Sequence, residues 1–395
     1  MKKNFSFFLL IIMLVFCLWD GSVSAYQDPA GSLSSPANLA AGINPLTGLA
    51  EKDPAYLTYP PVILPISRYP DGYRPSAGYG QAAWVFEMYV NAGESRPMAL
   101  FFGSLPESTN GTDPYVGALS SAVLGLESLR KQYMALLITT GNAQHVVDAG
   151  LLNNENWYGL SGDQKYPNLP VTNLKNYLEK WKKRLVTPDL DGLALPFSFG
   201  IPFEGKAGTS MFLRYASFYQ ILWEFDLNDG LYHRSQNSVS DPEIVPDADA
   251  LTDEQVAVQN LIVLFADHTL FDNEGNFTVN FNYVDQKPAL VLRDGILYEI
   301  NWTTRSEAYE RETERMRPIR LIDANGDAFP LKPGKSWVHI IATGNPYYEI
   351  SETTGSDVTV GSGHWKIPYI SVKPAEKEIA LDENSELSGI LEELP

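Results

Sequence analysis

The 395-residue chain holds a single cysteine, Cys17, and it lies within an N-terminal apolar run. Beyond residue 25 there is no thiol, which excludes disulfides, thiolate catalysis and cysteine-ligated metals. Histidine is nearly as scarce. His145, His233, His268, His339 and His364 stand far apart, with no H-x-H or H-E-x-x-H spacing, so no metal site is expected. No G-x-S-x-G elbow occurs and no S-x-x-K opens a predicted helix. Phosphate loops of the G-x-x-x-x-G-K-[ST] kind and a complete G-x-G-x-x-G are missing too. No catalytic residue and no cofactor is therefore assigned from motifs. Basic residues are few, 29 Lys and Arg against 48 Asp and Glu. An acidic surface repels phosphate backbones and anionic lipid, so nucleic acid is not an expected partner.

What the chain does carry begins with a leader. Lys2 and Lys3 precede an apolar run from Phe5 to Trp19, and Val23-Ser24-Ala25 supplies a small-residue cleavage pattern. This predicts a secretory signal over residues 1–25 and an extracytoplasmic location. The alternative is an uncleaved anchor, but the run is shorter than the roughly 20 residues a bilayer requires, and Asp20 closes it. Phe16 is too bulky for a lipidation signal at Cys17. No later segment is long and apolar enough to span a membrane, so no transmembrane helix is expected after cleavage. Loss of Lys2, Lys3 and Asp20 takes the formal charge from −19 to −20.

Residues 26–42, rich in Ala, Ser, Gly and Pro, read as a flexible linker. The remaining length allows two domains. In residues 43–200, Val62–Ile66, Ala83–Glu87, Met98–Phe102 and Met134–Thr139 are apolar runs of strand length. Ser120–Lys131 and Thr172–Arg184 carry apolar residues at helical spacing, with Thr172 or Asn173 as a cap. Alternating strands and helices predict an α/β layer. Residues 201–345 read as β-rich. Phe212–Tyr215, Tyr219–Phe225, Asn260–Phe265, Thr278–Tyr283, Ala289–Leu292, Ile296–Trp302 and Trp337–Ala342 are strand candidates. Asp229-Gly230, Glu274-Gly275, Asp294-Gly295 and Asn325-Gly326 separate them as hairpin signals. The overall expectation is an α+β fold: an N-terminal α/β domain followed by a β-rich domain, an antiparallel sandwich or barrel. Gln236–Val258 reads as a long loop between strands, with a possible short strand at Trp365–Val372. Residues 346–395 form an acidic tail; 371–395 hold seven carboxylates against Lys373 and Lys377, a composition that favours a solvated chain.

The densest chemistry lies between Arg74 and Phe102. Arg74-Pro75 and Gly78-Tyr79-Gly80 form a turn, Trp84-Val85-Phe86 a core strand, and Glu87 ends it. A buried carboxylate needs a cation, since an unpaired buried charge costs several kcal/mol. Arg74 and Arg96 are the candidates. With Gln81 they form a polar cluster with two readings: a guanidinium clamp for a carboxylate or phosphate ligand, or a structural ion pair that fixes the turn. Asp247-x-Asp249 with Asp253, and Asp323-x-Asn325-x-Asp327, hint at calcium loops. Neither completes the pattern, and Ala328 stands where the glycine belongs. His339 lies two residues from Trp337 on a strand, where one of the pair is expected to face solvent. Trp157-Tyr158, Trp365 and Tyr347-Tyr348 are the aromatics expected at the surface.

Residues 43–342 resemble the YerB-like family of bacterial extracytoplasmic proteins, whose biochemical function is not established. The resemblance rests on Asn44-Pro45-Leu46-Thr47-Gly48, on Arg74, Pro75, Gly78, Gln81, Ala82, Val85, Glu87, Gly93 and Arg96, and on Asn260-Leu261-Ile262-Val263, Leu331–Trp337 and Asp226, Gly230 and His233. It departs at Ala83 and Asn91, where the family usually carries acids, and at Gly117–Val123, where an arginine is missing. The resemblance implies ligand-binding candidates at Arg74, Gln81, Glu87, Arg96 and His233. The function expected is non-catalytic binding or scaffolding at the cell envelope, with a cell-wall fragment or saccharide as ligand. The alternative is a hydrolase of cell-wall or other extracellular polymer acting through Glu87 and an arginine. A Glu87 sealed against a cation favours the first, and an open cleft holding Glu87 and a second carboxylate favours the second.

Overall fold

Apolar runs of strand length become strands close to where the sequence puts them. The computed structural model describes residues 40–90, 93–141, 158–160, 169–183, 186–271, 277–350, 352–354, 357–359 and 361–372. The expected signal at 1–25, most of the 26–42 linker, Asn91, His145, Trp157, the Glu274-Gly275 turn and the tail beyond 372 lie outside these residues.

The first half of the chain gives β1 (Val62–Pro65), β2 (Trp84–Tyr89), β3 (Ser95–Phe101), β4 (Tyr115–Gly117), α1 (Leu126–Gln132) and β5 (Leu136–Thr139). It continues with β6 (Tyr158–Leu160), β7 (Val171–Asn173), α2 (Leu174–Trp181) and α3 (Leu190–Leu193). The second half opens with β8 (Lys206–Ala207), β9 (Ser210–Ala216), β10 (Tyr219–Asp226), β11 (Leu231–Gln236), β12 (Val245–Pro246) and β13 (Ala257–Val258). There follow β14 (Asn260–Ala266), β15 (His268–Leu270), β16 (Phe277–Val279), β17 (Lys287–Arg293), β18 (Ile296–Thr303) and α4 (Glu307–Thr313). The last are β19 (Arg320–Ile322), β20 (Ser336–Ala342), β21 (Tyr348–Glu349), β22 (Glu352–Thr354), β23 (Asp357–Thr359) and β24 (His364–Ile367).

The fold is a β-rich α+β arrangement of open sheets, and no barrel closes among the described residues. An 11-stranded sheet runs β19-β18-β17-β14-β20-β2-β3-β1-β5-β6, with β8 beside β18. Strands from both sides of residue 200 share it, joined where β2 and β20 pair in parallel, Glu87 opposite His339. A 7-stranded sheet runs β12-β11-β10-β9-β24-β21, with β13 beside β11. The parallel pairings β14–β20, β2–β20 and β9–β24 depart from the purely antiparallel expectation. The segment read as a loop, 236–258, supplies β12 and β13 and returns Asp247 and Asp249 to the interior. Trp365 is buried on β24, contrary to its expected surface place, while Tyr348 is exposed.

Alternation along β2 positions the core. Trp84, Phe86 and Met88 join the apolar cluster that also contains Leu126 and Leu129 of α1. Val85 joins the other cluster, where the large sheet meets Met211, Ile221 and Trp223 of the small one. Both faces of β2 are thus covered, which is why it reads as an unbroken apolar run. Glu87 shares the parity of Val85 and is carried into the layer between the sheets. Turn chemistry follows the sequence: Asp294 and Gly295 take φ of 56° and 72° in the β17–β18 hairpin, as a two-residue Asp-Gly turn requires. Asn173 caps α2 by accepting from the Asn176 N–H at 3.0 Å.

Gly48, which closes the Asn44–Gly48 opening, has φ of 67°, and a Cβ there would stand 2.5 Å from the buried Phe197 ring. Gly48→Ala is expected to lower stability by about 1–3 kcal/mol, read as a drop in the urea midpoint with an unchanged slope. An unaltered midpoint would contradict this packing.

Candidate functional site

Five side chains that the sequence leaves unconnected meet Glu87 between the sheets. Glu87 is 0% exposed. Its Oε1 accepts from Ser95 Oγ at 2.5 Å, Tyr219 OH at 3.2 Å and Arg234 Nη2 at 3.4 Å, and its Oε2 accepts from Trp337 Nε1 at 2.9 Å. His339 Nδ1 lies 3.6 Å from Oε2. Arg234 bridges onward to Asp247, which also receives Arg68 and the Tyr79 hydroxyl at 2.7 Å. Gln236 Oε1 accepts from Arg234 at 2.7 Å and Arg68 at 3.3 Å. The Trp337 ring faces the Arg234 guanidinium at 5.0 Å. Two cations and two anions thus cancel in an interior where none would persist alone.

Burial pushes the Glu87 carboxyl upward, but Arg234 and the hydrogen bonds from Ser95 and Trp337 outweigh it and hold it below its usual range. Asp247 is likewise held low against burial by Arg68 and Arg234. Burial drives His339 down to about 4. The imidazole is therefore neutral at pH 7, and its Nε2 accepts from Trp223 Nε1 at 2.9 Å. Trp337 and His339 both have 0% exposure. Residues two apart on a strand share a face, so the expectation that one of them meets solvent is corrected.

The cluster expected from the sequence is not assembled. Arg74 pairs with Asp71 at 2.8 Å and donates to the Asn237 carbonyl at 2.9 Å. Arg96 donates to Ser120 Oγ and makes no ion pair among the described residues. Neither reaches Glu87, because they leave the chain in the turn and on the opposite parity of β3. Gln81 clasps the Glu107 backbone, giving Nε2 to its carbonyl at 2.8 Å and accepting its N–H at 3.0 Å. His233 Nε2 sits 2.8 Å from Asp229 Oδ2 at the β10–β11 turn. Asp249, weighed as a calcium ligand, instead accepts the N–H groups of Gly78, Gly80 and Leu251 at 2.6, 2.8 and 2.9 Å. What sequence reasoning missed is Arg68 and Arg234, and that Asp247, weighed there only as a calcium ligand, is their partner. The signal was present in Leu231–Gln236, where Arg234 shares the buried parity of Tyr232.

Away from this core an open groove of about 770 Å³ is lined by Glu51, Lys52, Tyr56, Gln81, Glu107 and Lys175 among others. Its carboxylates are engaged: Glu51 by Asn44 at 2.6 Å and by Ser104, Asp53 by the Ala55 N–H at 3.1 Å, and Glu107 by Lys52 at 2.8 Å. Lys175 makes no ion pair among the described residues. The groove offers amide, hydroxyl and ammonium groups rather than a free pair of acids.

This arrangement defines a β-rich class: residues 211–338 match the family described as "Protein of unknown function (DUF3048) C-terminal domain". In fold the chain is similar to the crystal structure of the YerB protein from Bacillus subtilis, with a TM-score of 0.57 and 20% sequence identity over 75% of this chain and 95% of that one. The resemblance to the YerB-like family read from the sequence is borne out. No curated protein matches the chain. Among the described residues no helix is long and apolar enough to cross a membrane.

Glu87→Ala strands the Arg234 charge and is expected to cost about 3–5 kcal/mol, whereas Arg74→Ala, at the part-exposed rim, costs about 1 kcal/mol or less. Denaturant curves of the two variants test the reassignment, and equal losses would refute it. The pH dependence has a definite sign. His339 falls from its ordinary 6.5 to about 4 on folding, so its contribution is complete above pH 6.5 and is lost as pH drops toward 4. Glu87 and Asp247, also depressed, add to the loss at lower pH. Melting temperatures at pH 7.5, 5.5 and 4 should decline in that order, and a flat profile would contradict it.

Proposed function

We propose that this is an extracytoplasmic, non-catalytic binding protein of the bacterial cell envelope that holds a cell-wall fragment or related saccharide in the groove beside Gln81. The observation that carries the reading is the state of Glu87: wholly enclosed, matched to Arg234 and no part of the lining of the groove beside Gln81. A general acid or base must touch its substrate, and Glu87 touches only its own core. The hydrolase alternative, which relied on Glu87 and an arginine, loses its reacting group. The location is supported by the basic, apolar and small-residue sequence of the first 25 residues. The ligand class is supported by the groove's lining. Tyr56 supplies a ring with an apolar face and polar edge, and Gln81, Asn173 and Lys175 line the same groove with polar groups suited to a hydroxylated ligand.

Calorimetric titration with muropeptides and with peptide-free glycan oligosaccharides tests this. Saturable binding is expected, weakened about tenfold, or about 1.4 kcal/mol, by Tyr56→Ala or Gln81→Ala, with the ligand recovered intact by mass spectrometry. Absence of binding to any of these glycans, or cleavage that disappears in Glu87→Gln, would overturn the proposal.

A further inference from the structure

The outer face of the 7-stranded sheet carries a second constellation, independent of the groove. At one register level Glu224 of β10 stands opposite His233 of β11 on one side and Ser210 of β9 on the other, and Ser210 stands opposite His364 of β24. Directly opposed side chains on one sheet face lie within reach of each other. At the end of this row the β10–β11 turn brings Asp226 and Asp229 beside His233. One oxygen of each aspartate is tied to the turn: Asp226 Oδ1 accepts from Asn228 N and Nδ2, both at 2.8 Å, and Asp229 Oδ1 accepts from Leu231 N at 2.9 Å. Asp229 Oδ2 faces the imidazole Nε2 at 2.8 Å, and Asp226 Oδ2 takes no hydrogen bond among the described residues.

We propose that Asp226, Asp229 and His233 form a divalent transition-metal site of the zinc class, with Glu224 as the neighbouring carboxylate able to complete it. One ligand atom from each of the three lies within 4.8 Å of the others. Bonds of about 2.1 Å set ligand atoms about 3–3.4 Å apart, so the 2.8 Å contact between Asp229 and His233 opens by only a few tenths of an ångström to admit an ion. Glu224 is exposed and makes no hydrogen bond or ion pair among the described residues. Lys332, the cation that touches this turn through the Gly230 carbonyl, is bound to Asp294 at 2.7 Å and does not neutralise the cluster. An imidazole among carboxylates selects zinc-like ions over calcium and magnesium, which take oxygen ligands. Beyond Glu224, a depression of about 350 Å³ lined also by Phe212, His364 and Lys366 leaves room for a ligand beside the ion.

The test is titration of the EDTA-treated protein with Zn²⁺, and separately with Ca²⁺, followed by calorimetry, with Co²⁺ added for its visible absorption. One Zn²⁺ equivalent should bind, more tightly than Ca²⁺, and His233→Ala should weaken it by about tenfold or more and remove the Co²⁺ band. Asp226→Asn is the second variant, and circular dichroism verifies that each is folded. The proposal is overturned if Zn²⁺ does not saturate, if folded His233→Ala and Asp226→Asn bind it like the parent, or if Ca²⁺ binds as tightly and independently of His233.

Discussion

The structure depends on charge neutralisation between two sheets. Arg234 stands on the small sheet and reaches both Glu87 of the large sheet and Asp247 of the returning 236–258 segment, while Arg68 closes the group from the other side. Removing four charges from water is expensive, and their mutual attraction does little better than offset that expense. What the network supplies is registration. A carboxylate with no exposure tolerates one placement of its cation, so β2, β11, β20 and the Asp247 loop are locked against one another although they lie far apart in the chain. Packing around them contributes the bulk of the stability: Trp223, Trp337, Tyr215 and Tyr219 are buried there and meet largely edge to face.

That registration separates core polarity from surface polarity. Glu87 and Asp247 are engaged by Arg234 and Arg68, and His339 is kept neutral so that it can accept from the Trp223 indole. The groove near Gln81 and the β10–β11 turn, where the ligand and the ion are proposed, lie outside that network. Gln81 belongs to neither the ion network nor a lone hydrogen bond; its two contacts with the Glu107 backbone act as a clasp on the groove wall. Such a residue positions a wall rather than reacting.

Much of this was legible in the sequence, and the reasons differ by level. Strands were legible because β2, β14 and β20 are buried on both faces and so appear as continuous apolar runs. The β17–β18 hairpin was legible because Asp294-Gly295 meets a backbone demand that few residue pairs satisfy. That Glu87 needs a cation was legible from solvation physics alone. Which cation it has was not. Arg74 and Arg96 are near in sequence, but Arg234 is 147 positions away, and only the sheet-on-sheet packing makes it a neighbour. Asp247 was hidden differently, in a Pro- and Asp-rich stretch whose composition suggests solvent while its fold turns inward. His339 could have been placed from period two: sharing the face of Trp337, it had to share its burial.

The same reasoning separates what the likeness to YerB transfers from what it does not. At 20% identity with nearly the whole of that chain covered, the common element is an architecture, and architectures host unrelated activities. A ligand is recognised by particular side chains at particular positions. The two surfaces proposed for that here are the groove beside Gln81 and the β10–β11 turn. In the groove the acids are already satisfied, which favours a hydroxylated ligand over a cation. At the β10–β11 turn Glu224 is unsatisfied and an imidazole sits among carboxylates, which favours a cation over a sugar. The two surfaces therefore differ in kind, and a protein that used both would need no reacting group in its core.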